Sequence, residues 1–251
     1  MKREIDSKQY NNIADNYVKN QEERLGKKYV YTPGILKVLG NIKQKDILDL
    51  ACGDGYLTRE LKMKGANQVI GCDISEQMVK KALAEEKREP KNIEYILTDV
   101  AKLKKIGNFD IITAAFLLHY SQNKKILNKM VKNIFNNLKV GGRFVTLNNN
   151  PEHPTNPVKK YETTITAEKL PLKEGEILKL EMYDQKGNPD CCFDFYYWNK
   201  KTYEGTLRKA GFKNVKWISL TASADGVKKY GKIFWREIQQ HPTTIVIEAE
   251  K

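Results

Sequence analysis

The segment from Ile47 to Gly55 constrains the fold of this chain more than any other part of its sequence. It opens with Ile-Leu-Asp-Leu, a short apolar run of the kind found in a buried strand. A turn with glycines at 53 and 55 follows, and then Tyr-Leu-Thr-Arg-Glu-Leu-Lys, which predicts a helix. In open α/β sheets, a strand, a glycine-rich turn and a helix in this order form the entrance to a nucleotide-type ligand site. The segment therefore predicts a parallel sheet with a ligand at its edge.

Charged residues around this turn indicate which kind of ligand it holds. A dinucleotide-binding turn reads G-x-G-x-x-G and places a pyrophosphate on the helix N-terminus. Here Thr58 stands at the third glycine position, and Asp49 and Asp54 place two carboxylates beside the turn. Carboxylates repel a phosphate and attract an ammonium. We therefore expect a nucleoside that carries an amino-acid ammonium and no phosphate, and S-adenosylmethionine (SAM) is such a molecule.

Apolar runs alternate with amphipathic patterns between residues 46 and 149 and again after residue 200. This alternation is typical of a parallel sheet whose two faces are covered by helices. It predicts a doubly wound α/β fold with a mostly parallel, seven-stranded sheet. The predicted strands span 46–50, 68–72, 92–97, 109–114, 142–147, 215–220 and 243–249, and the predicted helices between them span 56–64, 75–87, 123–138, 201–210 and 224–238.

Two further segments complete a single predicted domain over residues 1–251. Residues 1–45 contain helical patterns at 10–17 and from 33 onward, and we expect them to form a helical lid before the core at 46–149. Residues 150–200 begin with three prolines and continue with two strand patterns separated by Asp-Gln-Lys-Gly-Asn-Pro-Asp. Such a turn sequence predicts an antiparallel β-hairpin, inserted as a substrate cap. Residues 201–251 then complete the sheet.

Acidic residues follow two of the predicted strands at positions suited to an adenosine. Asp73 ends the second strand, where a carboxylate can accept hydrogen bonds from both ribose hydroxyls. Asp99 follows the third strand and can accept from an adenine amino group, while the backbone N–H of Val100 donates to a ring nitrogen. Ile74 would then pack on the adenine, and Met78 would line the same pocket or belong to the core. Solvated strand-end carboxylates are the alternative interpretation.

In order and spacing, these motifs resemble the class I SAM-dependent methyltransferases. The resemblance rests on the turn at 49–55, on Asp73 and Asp99, and on the segments 109–112 and 138–144. More closely, the chain is similar to the small-molecule branch known as methyltransferase types 11 and 25, over residues 10–149 and more weakly from 200 onward. The resemblance implies a Rossmann-like fold, SAM as the methyl donor, S-adenosylhomocysteine (SAH) as the product and no metal.

The resemblance also implies roles for residues around the turn and in the lid. Ala51 stands where the family usually has its first glycine, and with Gly53 it would contact SAM. Ala115, after the fourth strand, is small enough to let the backbone approach the methionine part of the ligand. Similar proteins use an N-terminal Tyr-x-x-Ile-Ala-x-x-Tyr helix as a lid over SAM, and here Tyr10 and Tyr17 carry that pattern. Packing alone would also explain the two tyrosines.

Methyl transfer from a sulfonium is an in-line displacement that depends mainly on proximity and orientation. A general base is needed only when the acceptor holds its proton at neutral pH. His119 is the candidate for such a base, and Tyr17 is a second candidate catalytic residue. A buried structural histidine is the alternative interpretation of His119.

The sequence favours a small, planar methyl acceptor. The segment after the fourth strand reads Ala-Ala-Phe-Leu-Leu-His-Tyr and lacks both the Asn/Asp-Pro-Pro-Tyr motif of base-amine methyltransferases and the carboxylates of the metal-dependent catechol type. The second hairpin strand, at 191–198, is aromatic on both faces, and one face can stack on a flat acceptor. The candidate acceptor-binding residues are Tyr17, Asn149, Tyr197 and Trp198.

Composition restricts partners and location. The net charge is +13 at pH 7, yet lysines are spread along the chain and arginine is scarce, so nucleic acid is disfavoured as a partner. The four cysteines form no C-x-x-C pair and the three histidines are far apart, which disfavours a zinc site. No stretch approaches the roughly 20 apolar residues that span a bilayer, and the N-terminus lacks a signal-peptide core, so the expected location is the cytoplasm.

Three functions are therefore compatible with the sequence. The leading one is a SAM-dependent methyltransferase that modifies a nitrogen or oxygen of a small, planar metabolite. The second is methylation of a peptide N-terminus or of RNA, which the lysine excess allows. The third is an inactive SAM-binding regulatory or partner subunit, against which the intact turn and the substrate cap argue.

Overall fold

Seven strands form the central sheet in a computed structural model that describes residues 5–6, 9–19, 24–157 and 159–251. The strands are β1 (Ile47–Leu50), β2 (Val69–Asp73), β3 (Glu94–Leu97), β4 (Phe109–Ala115), β5 (Leu138–Asn149), β9 (Lys213–Ser219) and β10 (Thr244–Glu250). Their order is β3-β2-β1-β4-β5-β10-β9. The first five run parallel, and β10 is antiparallel to both β5 and β9. The predicted doubly wound, mostly parallel sheet is confirmed.

Strand β1 lies at the centre of the sheet and is buried on both faces. Leu48 and Leu50 pack into an apolar cluster on one face, whereas Ile47 packs into a second cluster on the other face. All four residues of the strand are buried. A strand covered on both sides reads as a continuous apolar run, which explains why the sequence shows no alternation here.

Helices connect the strands, and polar side chains fix where several of them begin. Ser75 accepts a hydrogen bond from the backbone N–H of Met78 at 3.3 Å and so caps the helix predicted at 75–87. The single helix predicted at 224–238 is wrong, because the first of two short helices there ends at Gly231, whose φ is +80°. The helices are α1 (Gln9–Lys19), α2 (Thr32–Leu39), α3 (Tyr56–Met63), α4 (Glu76–Arg88), α5 (Lys124–Asn137), α6 (Lys200–Ala210), α7 (Ala224–Tyr230) and α8 (Arg236–Gln240), with a π-helical turn at Lys27–Tyr31.

The insertion folds into a second, three-stranded antiparallel sheet. Its strands are β6 (Thr163–Ala167), β7 (Ile177–Tyr183) and β8 (Pro189–Tyr196), in the order β6-β7-β8. Strands β7 and β8 are the predicted hairpin, joined through a turn in which Asp184 accepts from the backbone of Asn188 at 2.8 Å. Strand β6 was not predicted, because Ile165 is its one large apolar residue and leaves little periodicity to detect.

Helix α1 and the inserted sheet meet at the carboxyl ends of the central strands. Gln9 donates to the backbone oxygen of Asp194 at 2.9 Å, and its own side-chain oxygen accepts from the Asp194 N–H at 3.0 Å. Helix α1 also packs against α4. The predicted lid, 1–45, includes residues 1–4, 7–8 and 20–23, which lie outside the described residues. Its described part covers the sheet edge where the sequence places a ligand.

Candidate functional site

The turn after β1 is held in a left-handed backbone conformation at three positions. Ala51, Gly53 and Gly55 have φ values of +53°, +57° and +79°. A Cβ added at Gly55 would lie 2.4 Å from the hydroxyl of Tyr95, so this position requires glycine for space as well as for conformation. Ala51 also has a positive φ, a conformation that glycine adopts more readily. An alanine at the family's first glycine position therefore carries some backbone strain. The turn is thereby fixed with its backbone facing the sheet edge.

Asp49 lies beneath this turn and not in a cavity wall. It is 1% exposed, and its two oxygens accept from the hydroxyls of Thr58 at 2.7 Å and Thr113 at 2.8 Å. Burial raises the pKa of Asp49 to about 6, and the two hydroxyl donors oppose that rise. Asp49 thus links β1, α3 and β4 below the turn. The predicted direct contact with a bound ammonium has no support from this placement.

A cavity of about 280 Å³ opens above the turn, at the carboxyl ends of β1 to β4. Ligands of open α/β sheets bind at this edge. The cavity brings together nine of the ten residues predicted to bind the cofactor, and Asp49 is the exception. These nine are Tyr10, Ala51, Gly53, Asp73, Ile74, Met78, Asp99, Val100 and Ala115.

Asp73 is the most constrained polar group in this cavity. It is 8% exposed, and its oxygens accept from the backbone N–H of Gly53 and of Ser75, each at 2.8 Å. Burial raises the pKa of Asp73, whereas these backbone donors lower it. A carboxylate has about four acceptor positions, so both oxygens retain capacity for ligand hydroxyls. Asp99 is held similarly, since it accepts from the N–H of Ala101 at 2.8 Å.

Aromatic side chains close the other end of the cavity. The hydroxyls of Tyr10 and Tyr120 lie 2.6 Å apart, and the ring of Tyr17 lies edge-on to Tyr10 with centroids 5.2 Å apart. The ring of Phe193 in the inserted sheet packs on that of Tyr10, with the two ring centroids 5.2 Å apart. Burial raises the pKa of Tyr10, Tyr17 and Tyr120, so these hydroxyls stay protonated at neutral pH. The predicted lid tyrosines therefore do line the cavity, together with Tyr120, for which the sequence analysis predicts no definite role.

A second cavity of about 140 Å³ adjoins the first and shares part of its wall. Phe116 stands at the boundary with a φ of +64°, a conformation rare for a bulky residue, and strained residues of this kind cluster at ligand sites. The shared residues are Tyr17, Ala51, Gly53, Ala115 and Phe116. The remaining walls are formed by Arg24, Gly26, Lys27, Tyr31, Thr32, Ile35, Cys52, Asp54, Tyr56, Leu57, Leu147, Tyr161, Thr163 and Met182.

His119 is buried behind the site and lines neither cavity. It is 2% exposed, its Nδ1 lies 3.3 Å from Oδ1 of Asn148, and its ring packs 4.4 Å from that of Tyr120. Burial lowers the pKa of His119 to about 4, so the imidazole is neutral at physiological pH. This geometry is that of the structural histidine and gives no support to the predicted general base.

Three predicted acceptor-binding residues also lie outside both cavities. Trp198 is buried and donates its indole N–H to the backbone oxygen of Ser121 at 3.1 Å. The Tyr197 hydroxyl faces the backbone oxygen of Pro151 at 3.4 Å, and Asn149 pairs with Thr244 within the central sheet. Strand β8 ends at Tyr196, two residues before its predicted end, so Tyr197 and Trp198 lie beyond it.

The insertion contributes other residues to the site. Tyr161, Thr163 and Met182 line the second cavity, and Phe193 packs against the lid. The alternating aromatic pattern of 191–198 was a signal for Phe193. Arg24 and Met182 lie far from the turn in sequence, and no local pattern marks them as site residues.

Metal-binding clusters and membrane-spanning helices are both absent from the described ranges. No cluster of three or more His, Cys, Asp or Glu side chains suited to a metal ion occurs among those residues. Over the same part of the chain, no helix combines the length and apolarity that crossing a membrane requires.

Comparison with known proteins gives concordant matches. The family model for the methyltransferase domain matches residues 47–142. The demethylmenaquinone methyltransferase of Lactococcus lactis is 30% identical over 213 residues, which cover 83% of this chain and 82% of the relative. The ubiquinone biosynthesis O-methyltransferase of Coxiella burnetii is 36% identical over 112 residues, covering 43% of this chain and 46% of the relative.

Solved structures share the architecture at lower sequence identity. The CcbJ methyltransferase from Streptomyces caelestis superposes with a TM-score of 0.64 at 16% identity and covers 97% of this chain and 96% of that one. A SAM-dependent methyltransferase from Mesorhizobium loti gives a TM-score of 0.62 at 20% identity, with 87% and 96% covered. At these sequence identities, the superpositions show a shared fold and nothing further.

Proposed function

The chain belongs to the class I SAM-dependent methyltransferases, and from this premise we propose that it methylates an oxygen or nitrogen of a small, planar metabolite. The enzyme uses SAM and releases SAH. The observation that carries the proposal is the second cavity, which adjoins the first and shares with it Tyr17, Ala115 and Phe116. An acceptor in the second cavity would be in reach of a methyl group presented at that shared wall.

In this proposal, residues of the first cavity would provide the contacts that a SAM molecule needs. Asp73 would accept from the ribose hydroxyls, Asp99 from the adenine amino group, and Ile74 would cover the adenine. The backbone of the turn and of Ala115 would hold the methionine part. SAM supplies an activated methyl on a sulfonium, so the protein's task is to hold donor and acceptor in line and to exclude water.

The second cavity suits an acceptor that loses its proton easily or has none to lose. Among the residues that the structure describes, no histidine lines it. Its one carboxylate, that of Asp54, lies 3.8 Å from the guanidinium of Arg59, and the Tyr17 hydroxyl stays protonated. A phenolic oxygen or a neutral amine needs no strong base to react with a sulfonium methyl. In this proposal, catalysis therefore depends on the orientation of donor and acceptor and not on proton abstraction.

The size and the aromatic lining of this cavity support a flat acceptor. Its volume of about 140 Å³ is close to the ~150 Å³ cavity known to hold one benzene ring. Two relatives are named for quinones, which are flat rings carrying oxygens. A ring bearing oxygen is therefore the acceptor class that we favour. Five aromatic side chains line the cavity: Tyr17, Tyr31, Tyr56, Phe116 and Tyr161.

Methyl-labelled SAM tests the proposal. The protein is incubated with labelled SAM and, separately, with a small-metabolite extract, with bulk RNA and with peptides, and the labelled product is identified. We expect label in a small aromatic product together with formation of SAH. Label confined to RNA or to peptide would contradict the proposal. SAM binding without label transfer in any mixture would instead favour the inactive subunit.

A further inference from the structure

Arg24 is a buried cation in the wall of the second cavity. It is 5% exposed, its Nη1 donates to the backbone oxygen of Tyr183 at 3.1 Å, and its Nη2 pairs with the carboxylate of Asp190. Its Nε is also buried and has no hydrogen-bond partner among the residues that the structure describes. Within the described part of the chain, Nε is therefore the one guanidinium nitrogen of this cavity-lining arginine that lacks a partner.

An unpaired donor at this position needs a physical explanation. Buried N–H groups almost always have partners, and a guanidinium N–H is costly to desolvate without one. The surrounding cavity wall is dominated by rings and aliphatic groups, among them Tyr31, Phe116 and Ile35. A bound molecule with an oxygen near Nε would satisfy the donor and fill the cavity at once.

The inserted sheet holds Arg24 in a fixed orientation. Tyr183 ends strand β7 and Asp190 lies in strand β8, so two groups on neighbouring strands fix the guanidinium plane before any ligand arrives. A donor that is already oriented loses little conformational freedom on binding. Because Asp190 offsets the charge of Arg24, the remaining Nε–H can serve a neutral or an anionic oxygen.

We infer that Arg24 selects the methyl acceptor by donating its Nε–H to an oxygen substituent of an aromatic ring in the second cavity. The oxygen is a hydroxyl, carbonyl or carboxylate at a ring position other than the one that reaches the shared wall. This inference rests on the proposed function and narrows it to oxygen-substituted rings. Aromatic rings without such a substituent would bind without this contact.

The position of Arg24 assigns it to the acceptor and not to SAM. Arg24 lines the second cavity and is absent from the walls of the first, where the predicted cofactor residues gather. Its partners Tyr183 and Asp190 belong to the insertion. Among the described residues, the insertion lines the second cavity with Tyr161, Thr163 and Met182 and contributes no residue to the first. The other cation of the second cavity, Lys27, lies over the ring of Tyr56 with Nζ 4.1 Å from the centroid.

Binding of three simple rings tests the inference without requiring turnover. Wild-type protein and Arg24→Lys, each saturated with SAH, are titrated with phenol, benzoate and benzene by ligand-observed NMR. Lysine keeps the positive charge but lacks the Nε–H. We expect the substitution to weaken phenol and benzoate about tenfold or more, the loss of one hydrogen bond to a charged group, and to change benzene less than twofold. The matched control is Arg88→Lys at an exposed arginine, which should leave all three affinities unchanged.

The remaining outcomes overturn the inference. A tenfold loss of SAH affinity with unchanged ring binding would assign the Nε–H to the methionine carboxylate. An equal loss for all three rings would show that Arg24 only supports the cavity wall. Should Arg24→Lys fail to fold, the Hε resonance of Arg24 in wild-type protein decides: it must shift downfield with phenol and not with benzene. Failure of the proposed function would show separately, as absent methyl transfer by wild-type protein.

Discussion

Asp73 is the side chain through which the first cavity is most directly organised. It sits at the end of β2, and it fixes the backbone of Gly53 and of Ser75 through one hydrogen bond each. It therefore organises the turn and the start of α4 while keeping acceptor capacity for a ribose. Its location follows from topology, because the carboxyl ends of neighbouring parallel strands share one edge of the sheet.

Replacing Asp73 should abolish SAM binding while preserving the fold. Asp73→Ala removes the acceptor for the ribose hydroxyls and frees two backbone donors, and we expect affinity to fall by at least about 100-fold, the value of two lost charged hydrogen bonds. Isothermal titration calorimetry measures the affinity, and far-UV circular dichroism monitors the fold. Asp225→Ala, at an exposed aspartate of α7, is the control. Unchanged SAM affinity in Asp73→Ala would contradict the ribose assignment.

Asp49 should make stability depend on pH in a defined direction. Its folded pKa of about 6 lies above the unfolded value of about 3.9, so the folded state binds the proton more tightly. The stability linked to this proton is fully present below about pH 4 and is lost as the pH rises through about 6. An asparagine at position 49 cannot titrate, and its side-chain amide can still hydrogen-bond with the hydroxyls of Thr58 and Thr113.

Comparison of wild-type protein with Asp49→Asn isolates this effect. Between pH 4 and pH 7 the difference in unfolding free energy should move by about 2 kcal/mol in favour of Asp49→Asn, because this pH range covers most, but not all, of the two-unit difference in pKa. Urea denaturation at several pH values measures it. A difference that stays constant with pH would show that Asp49 does not carry a raised pKa.

At the scale of elements, the turn after β1 is rigid because its backbone and its packing agree. Gly55 has a left-handed φ, and the ring of Tyr95 occupies the space that a Cβ at this position would need. Gly53 also has a left-handed φ, but nothing lies within 4 Å of a Cβ added there. A substitution at Gly53 therefore tests backbone conformation alone, whereas a substitution at Gly55 tests conformation together with steric space.

Alanine at these two glycines should therefore give different losses of stability. Gly53→Ala should cost about 1 kcal/mol, the strain of a left-handed alanine. Gly55→Ala adds a clash with Tyr95, and overpacking of this kind raises the loss by a further ~1–3 kcal/mol. Urea unfolding of both variants gives the comparison. Equal losses would mean that Tyr95 moves aside freely.

Elements with strong local signals were predictable, and elements defined by packing were not. The buried strands β1 and β4 and the cap of α4 follow from apolar runs and from Ser75. Strand β6 has one large apolar residue, and the break at Gly231 was hidden by an otherwise continuous helical pattern. Both depend on contacts with distant parts of the chain.

The same distinction applies to the site. Asp73, Asp99 and Ala115 could be predicted because each ends a strand at the ligand edge, and topology brings such ends together. Arg24 and Met182 come from the lid region and from the insertion, whose approach to the turn depends on tertiary packing. The sequence therefore predicted the lining of the first cavity better than that of the second.

At the scale of the whole molecule, the site is enclosed by three parts of the chain. The central sheet supplies the strand ends, helix α1 covers the first cavity, and the inserted sheet completes the second. Gln9 links α1 to the backbone of Asp194, and Arg24 links the lid region to Asp190. Because lid and insertion are tied to each other, they are expected to exclude water from both cavities together.

The crystal structure of the complex with SAH tests the central claim most directly, namely that the two cavities form one donor and acceptor site. We predict that the ribose hydroxyls contact Asp73, that the adenine lies between Ile74 and Asp99, and that the sulfur lies at the wall formed by Tyr17, Ala115 and Phe116. An SAH molecule whose sulfur faces away from the second cavity, or whose adenosine lies outside the first, would contradict the account.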